Sequence, residues 1–174
     1  MKNQAKARQS AQSELVELQR LFVVAHGNKL DLNKMEQVGP IDDAIVFIGR
    51  SGENNGIVAF VTRLDEEEPH EGGLITVALG GSALSSFVQP RSFYTAQNID
   101  VLKARTPMSL EVKLYYCLCI EANRFRYSTY GREANRTLKS LLVPTLEMVP
   151  PWVNGARQRA IDELCGDLSA MGKA

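Results

Sequence analysis

The chain has 174 residues, 44% of them apolar, and its 20 lysines and arginines balance 20 aspartates and glutamates. That length predicts one domain with a sizeable buried core. No run reaches the roughly 18 apolar residues of a membrane span, and the opening MKNQAKARQSAQSEL lacks the apolar centre of a secretion signal.

Residues 3–25 read as a helix, because Ala11, Leu15, Leu18, Phe22 and Ala25 recur at spacings of 4, 3, 4 and 3. Short β-branched runs follow at 44–49 (AIVFIG), 56–61 (GIVAFV), 73–79 (GLITVAL) and 98–103 (NIDVLK), each bounded by turn signals. The intervening loop 49–56 is rich in Gly and Asn, and the loop 63–73 is acidic. A helix is expected after Ser109 through LEVKLYYCLCIEANRF. Its apolar residues run nearly all the way round, which predicts burial on several sides. A second helix is expected over 132–142, ended by Val143-Pro144. The last, about 155–171, places Ile161, Leu164, Leu168 and Met171 at spacings of 3, 4 and 3, with Asn154 as N-cap and Gly172 as stop. Both terminal helices are too short to stand alone in water, so each must pack on the other, on the core or on a partner chain. The expected organisation is a helical segment over 1–30, an α/β (α+β) globule over 31–153, and a helix for packing or dimerisation over 154–174.

Charge is unevenly distributed along this neutral chain. Residues 31–71 carry ten acids and three bases, whereas 91–139 carry nine bases and four acids. Within the basic half, NRFRYSTYGREANRTLK (123–139) holds Arg124, Arg126, Arg132, Arg136 and Lys139 against the single acid Glu133. Cations neutralise phosphates, and Arg and Asn pair with base edges through two hydrogen bonds. That mixture predicts a nucleic-acid surface; the alternative is two oppositely charged halves that face each other and cancel.

No catalytic constellation accompanies it. There is no glycine-rich phosphate loop, no glycine fingerprint after a strand, and no Asn-Pro-Pro-type loop for methyl transfer to a base. His26 and His70 read as ordinary surface residues. Cys117, Cys119 and Cys165 have neither metal-ligand nor redox spacing, which predicts reduced, buried thiols in a cytoplasmic protein without metal or cofactor. One pattern imitates a metal-dependent nuclease: Asp100, then Glu111-Val112-Lys113. Such sites bring two carboxylates and a lysine together on Mg²⁺. Here Glu111 and Lys113 open a predicted helix, where residues two apart diverge by about 200°.

The runs NNGIVAFV, GGLITVALGGSALSSFVQPRSFYTAQNIDVLK and LYYCLCIEANRFRYSTYGREANRTLKSLLVPT, followed by Pro150-Pro151-Trp152, together resemble a target recognition domain. Such domains occur in the DNA-specificity subunits of type I restriction-modification systems, and the closest branch is that of fused or type IIB-like enzymes. The resemblance covers roughly residues 36–153. It implies a compact α/β globule with a curved mixed sheet, followed by a helix that pairs subunits. It also implies binding of one half of a split double-stranded DNA target, presented to a DNA methyltransferase and often to a nuclease subunit in phage defence. The chain departs from the family pattern in having one recognition domain rather than two, a shorter C-terminal helix and an unmatched N-terminal segment. A half-sized subunit of this kind is expected to form a homodimer through its terminal helices. The competing expectation is a non-catalytic adaptor or inhibitor of a restriction complex, in which the acidic segment 31–71 mimics DNA.

The expected DNA contacts follow from residue type and position. Arg124 and Arg126 alternate with Phe125 and Tyr127, so an extended segment points the arginines at DNA and the aromatics at the core. The alternative is a solvated helix end. Arg132, Asn135 and Arg136, in the family-like YGRxxNR word, share one helix face. Arg132 and Arg136 are assigned to the DNA backbone or groove, Asn135 to DNA or to its own loop, and Lys139 extends the patch. Gly80-Gly81-Ser82 and Ser85-Ser86 form a small-residue loop whose amides approach phosphate, or a plain turn. Nearby, Gln89 and Arg91 have the groups that read adenine and guanine. Arg50, Ser51, Asn54 and Asn55 lie in the other flexible loop, where Asn beside Gly also simply builds turns.

Overall fold

The computed structural model describes residues 14–127 and 134–171. In chain order its elements are β1 (Leu15–Glu17), α1 (Leu18–Leu21), β2 (Phe22–His26), β3 (Gln37–Val38), β4 (Ile45–Ile48), β5 (Ile57–Val61) and β6 (Ile75–Ala78). There follow β7 (Ser86–Val88), β8 (Phe93–Thr95), β9 (Ile99–Ala104), α2 (Leu110–Glu121), β10 (Leu142–Pro144) and α3 (Ala156–Met171). One four-stranded sheet has the order β2-β9-β6-β7 and is antiparallel throughout. The other, β3-β5-β4-β8, is mixed, because β4 and β8 run parallel. β1 and β10 form a separate antiparallel ribbon.

Side-chain alternation builds the layers. On β4, Val46 and Ile48 face Phe93 and Val101 between the two sheets, while Ile45 and Phe47 join Val61 and Tyr94 on the outer side. All four residues of β4 are buried, as expected for a strand covered on both faces. Leu30, Leu32, Met35 and Leu64 close the outer side. On the opposite flank, Ile75, Val77 and Leu102 of the first sheet pack against Tyr116, Cys117 and Ile120 of α2, together with Leu18, Phe22, Leu138 and Leu141. Phe22 meets Tyr116 edge-to-face, with centroids 5.4 Å apart, a pairing worth about 0.5–1.5 kcal/mol beyond its buried area. Burial pushes the Cys117 thiol up to about 12, so that sulfur is inert packing. Cys165 is exposed, contrary to the expectation of buried thiols.

The four β-branched runs read from the sequence are β4, β5, β6 and β9. Three other expectations are corrected. First, the described part of the N-terminal seam is strand, one helical turn and strand rather than one helix. Leu18 and Phe22 reach the core from either side of that turn, while the Phe22-Val23-Val24 run pairs with β9 from Phe22↔Ala104 to His26↔Asp100. Second, the described residues of 132–142 form two short turns, Ala134–Arg136 and Leu138–Ser140, not a helix. Leu142 to Pro144 then serve as an edge strand against β1, where proline is tolerated. Third, α2 starts at Ser109, whose Oγ accepts a bond from Val112 N, but it is buried on one side only. Leu110, Leu114 and Leu118 are exposed.

Candidate nucleic-acid interface

Register fixes which loops meet. β2, β4, β6 and β8 finish, and β5, β7 and β9 begin, at the same end of the two sheets. The loops there are joined by backbone hydrogen bonds: Ser82 N to Arg50 O at 3.2 Å, Leu79 N to Asn98 O at 2.9 Å and Ala96 N to Ile48 O at 2.8 Å. The basic segment attaches to this rim through Arg124 and Ala134, and a third bond ties the segment to itself. Arg124 donates through Nε to Ala83 O (3.1 Å) and through Nη2 to Ser85 Oγ (2.8 Å). Ala134 N donates to Leu79 O at 2.9 Å. The Tyr127 and Thr137 hydroxyls bond to each other at 2.6 Å.

Arg50, Arg124, Arg126 and Arg136 are thereby brought to one end of the molecule, all exposed. Lys139 is exposed too, but on the next turn, which packs on α1. Arg132 and the side chain of Asn135 lie outside what the structure describes. Arg124–Tyr127 is a helical turn rather than an extended segment, so its aromatics do not both turn inward. Phe125 is 70% exposed, with the Arg126 guanidinium 5.6 Å from its ring centre. An exposed ring among arginines is a surface on which a base can stack, and the alternation argument had assigned that ring to the core.

Other expected contact residues have partners within the protein. Gln89 is 1% exposed and cannot reach a groove. Its Nε2 donates to Asn55 O (3.0 Å) and Thr76 Oγ1 (2.8 Å), and its Oε1 accepts from Asn55 Nδ2 (3.1 Å). Asn54 and Asn55 adopt left-handed backbone angles, φ 48° and 55°, and Asn54 Nδ2 bonds Ile57 O. They build the turn. Arg91 donates to Asp42 O at 2.7 Å, fastening the turn before β4. In the serine loop, the amides of Ser82, Leu84, Ser85 and Ser86 are bonded to Arg50 O, Ala78 O, Ser82 O and Glu121 Oε1. The half-buried Ser82 stands against the Arg50 loop, at Gly52. His70 is not a plain surface residue either; it pairs with Phe93 through the backbone and stacks on its ring at 5.2 Å.

The nuclease-like residues have separate partners. Asp100 Oδ1 lies 2.7 Å from His26 Nδ1, Glu111 lies 3.8 Å from Arg157, and Lys113 donates to Gly73 O. Among the described residues no three His, Cys, Asp or Glu side chains gather as a metal site, and no helix is long and apolar enough to cross a membrane.

The family model of the type I restriction modification DNA specificity domain matches residues 11–145. The chain belongs to this family. Three solved structures share the specificity domain's fold. The S subunit of a type I restriction-modification system from M. genitalium matches with a TM-score of 0.54 and 17% identity, over 94% of this chain and 44% of that one. A chain from a structure of complex assembly and conformational transition in a type I R-M system gives 0.59 and 16%, over 92% and 40%. The HsdS subunit from Thermoanaerobacter tengcongensis gives 0.58 and 12%, over 92% and 39%. The chain thus spans about two fifths of the length of these proteins. No curated protein matches it by sequence. It is a target recognition domain of the α/β kind, on the non-catalytic, DNA-specificity side of such systems.

The specificity domain's charge is layered as well. The acidic loop 63–68 covers the outer face of the second sheet, with Leu64 N donating to Tyr94 Oη and Tyr94 Oη to Glu67 O. α2 and the arginine-bearing turns lie beyond the first sheet. The two charged segments are therefore held apart by the sheets.

Proposed function

We propose that the chain binds double-stranded DNA sequence-specifically through the rim formed by Arg50, Ser82, Arg124, Arg126 and Arg136, with Arg132 and Asn135 from the same segment. One observation carries this reading: segments as distant as 49–56, 79–86, 124–127 and 134–136 are hydrogen-bonded into a single surface bearing four exposed arginines. In such a surface the arginines contact phosphate and guanine, and Phe125 stacks. The domain then presents one half of a split target to a DNA methyltransferase, and to a nuclease where the system has one, as a cytoplasmic element of phage defence. Two copies pair through α3. The side chains of its residues 157–166 are exposed, Ile161 and Leu164 among them, and a helix of 16 residues is marginal in water by itself.

Selection from a randomised duplex pool tests the reading. Enrichment of a short motif is expected, split or palindromic if two copies bind together. Arg124→Ala and Arg136→Ala are expected to weaken binding to all duplexes by about tenfold. Absence of duplex binding at every salt concentration would refute it.

A further inference from the structure

His26 and Lys29 stand at the same rim, across Leu79 from the serine loop. β2 ends at His26, directly opposite Asp100 on β9. The imidazole is 59% exposed, whereas the carboxylate that its Nδ1 meets is 3% exposed. A carboxylate at that depth needs a hydrogen-bonded partner, and here the partner is a surface ring. The bond fixes the ring and leaves Nε2 as the nitrogen that a ligand can reach.

Beside the ring lies a cleft of about 300 Å³, lined by His26, Lys29, Leu79, Asn98 and Ile99. Its two turns are held in unusual conformations: Lys29 and Asn98 have φ of 63° and 60°, a region that lysine rarely enters. The first turn is pressed on the end of β8. A Cβ at Gly27 would lie 2.0 Å from Thr95 Oγ1, so only glycine fits there. Leu79, in the cleft wall, donates to Asn98 O and accepts from Ala134 N, which makes the cleft continuous with the arginine rim. On its outer side Asn28 Nδ2 meets Glu67 Oε1 at 2.5 Å, where the acidic flank begins.

We propose that His26, oriented by Asp100, and Lys29 together hold a backbone phosphate of the duplex in this cleft. This rests on the DNA-binding reading above. Lys29 supplies charge and ammonium donors; with Nδ1–H on Asp100, His26 donates through Nε2 when the ring carries both protons, and Asp100 is a positioning residue that touches no DNA.

The test is binding of the full chain to a mixed-sequence duplex by fluorescence anisotropy, with salt varied from about 50 to about 300 mM. His26→Ala and Lys29→Ala are each expected to weaken binding about five- to tenfold on every sequence, and Lys29→Ala to lower the slope of log K against log salt by about one. Asp100→Asn should match His26→Ala, and the double variant should be no weaker than either, because the two residues act as a unit. Circular dichroism checks folding; should Asp100→Asn not fold, the two surface variants decide. If Arg124→Ala weakens binding while His26→Ala and Lys29→Ala keep the original affinity and slope, the cleft proposal falls and the DNA reading stands. If the unaltered chain binds no duplex, both fall. Inorganic phosphate shifting the His26 ring signals, with no effect of His26→Ala on duplex affinity, would assign the cleft to free phosphate and also overturn the proposal.

Discussion

In the run Phe87-Val88-Gln89-Pro90, Gln89 has the groups that pair with adenine, yet its carboxamide bonds to Asn55 and Thr76 inside the protein. A buried carboxamide with three such bonds leaves several polar groups unsatisfied when removed. Gln89→Ala is therefore expected to lower unfolding free energy by about 2–3 kcal/mol, measured by urea denaturation. An unchanged stability with a changed preferred base would restore the base-reading role. Residue type showed the chemistry available at Gln89, Arg91 and Arg124 but not its direction. Arg91 fastens a turn and Arg124 fastens the rim while remaining exposed. The difference comes from strand register, which brings Ala83 and Ser85 to Arg124 and which no local pattern reports. His26 was missed for the same reason: Asp100 is 74 positions away in sequence and adjacent only across β2 and β9.

At the level of elements, legibility followed locality. α2 was readable because its cap, Ser109, and its apolar run are consecutive in the chain. The seam at Leu15, Leu18 and Phe22 was misread because a single helical turn between two strands also buries residues four apart, and only pairing with β9 selects that outcome. α3 was readable as a helix, and its partner was not. If α3 pairs two copies, Leu164→Glu places a charge in the seam and abolishes self-association. The domain's melting temperature should stay within about 2 °C, because Leu164 is 63% exposed within the chain. Analytical ultracentrifugation and a thermal melt on the same variant separate these effects. A large loss of stability in a protein that remains monomeric throughout would show that α3 packs on its own domain.

The 63–73 segment couples whole-molecule stability to pH through His70. His70 spans from that segment to β8, and burial holds its imidazole below the usual 6.5, against the opposing pull of Glu67. On acidification the unfolded chain takes up this proton first. The stability associated with a neutral His70 is complete above about pH 6.5 and declines as pH falls towards the lowered value. His70→Gln should lose less stability than the unaltered chain between about pH 7.5 and pH 5.5, compared by urea midpoint. Parallel curves for the two proteins would dismiss the coupling.

The same segment carries Asp65, Glu66, Glu67 and Glu68, and the layer order decides how far they influence the arginine rim. Two sheets stand between them and the turns at 124–136, and sheets pack about 10 Å apart, so the separation is roughly 20 Å. That is about two screening lengths at 0.1 M salt. The acidic flank therefore acts on DNA held at those turns through the long-range field, not through contact. Asp65→Asn combined with Glu66→Gln, both exposed, should tighten duplex binding by no more than about twofold at low salt and leave it unchanged near 0.15 M. A large gain that survives physiological salt would put the flank against DNA. Unchanged DNA binding with lost affinity for a methyltransferase subunit would make the flank a protein-docking face, the role expected of an adaptor.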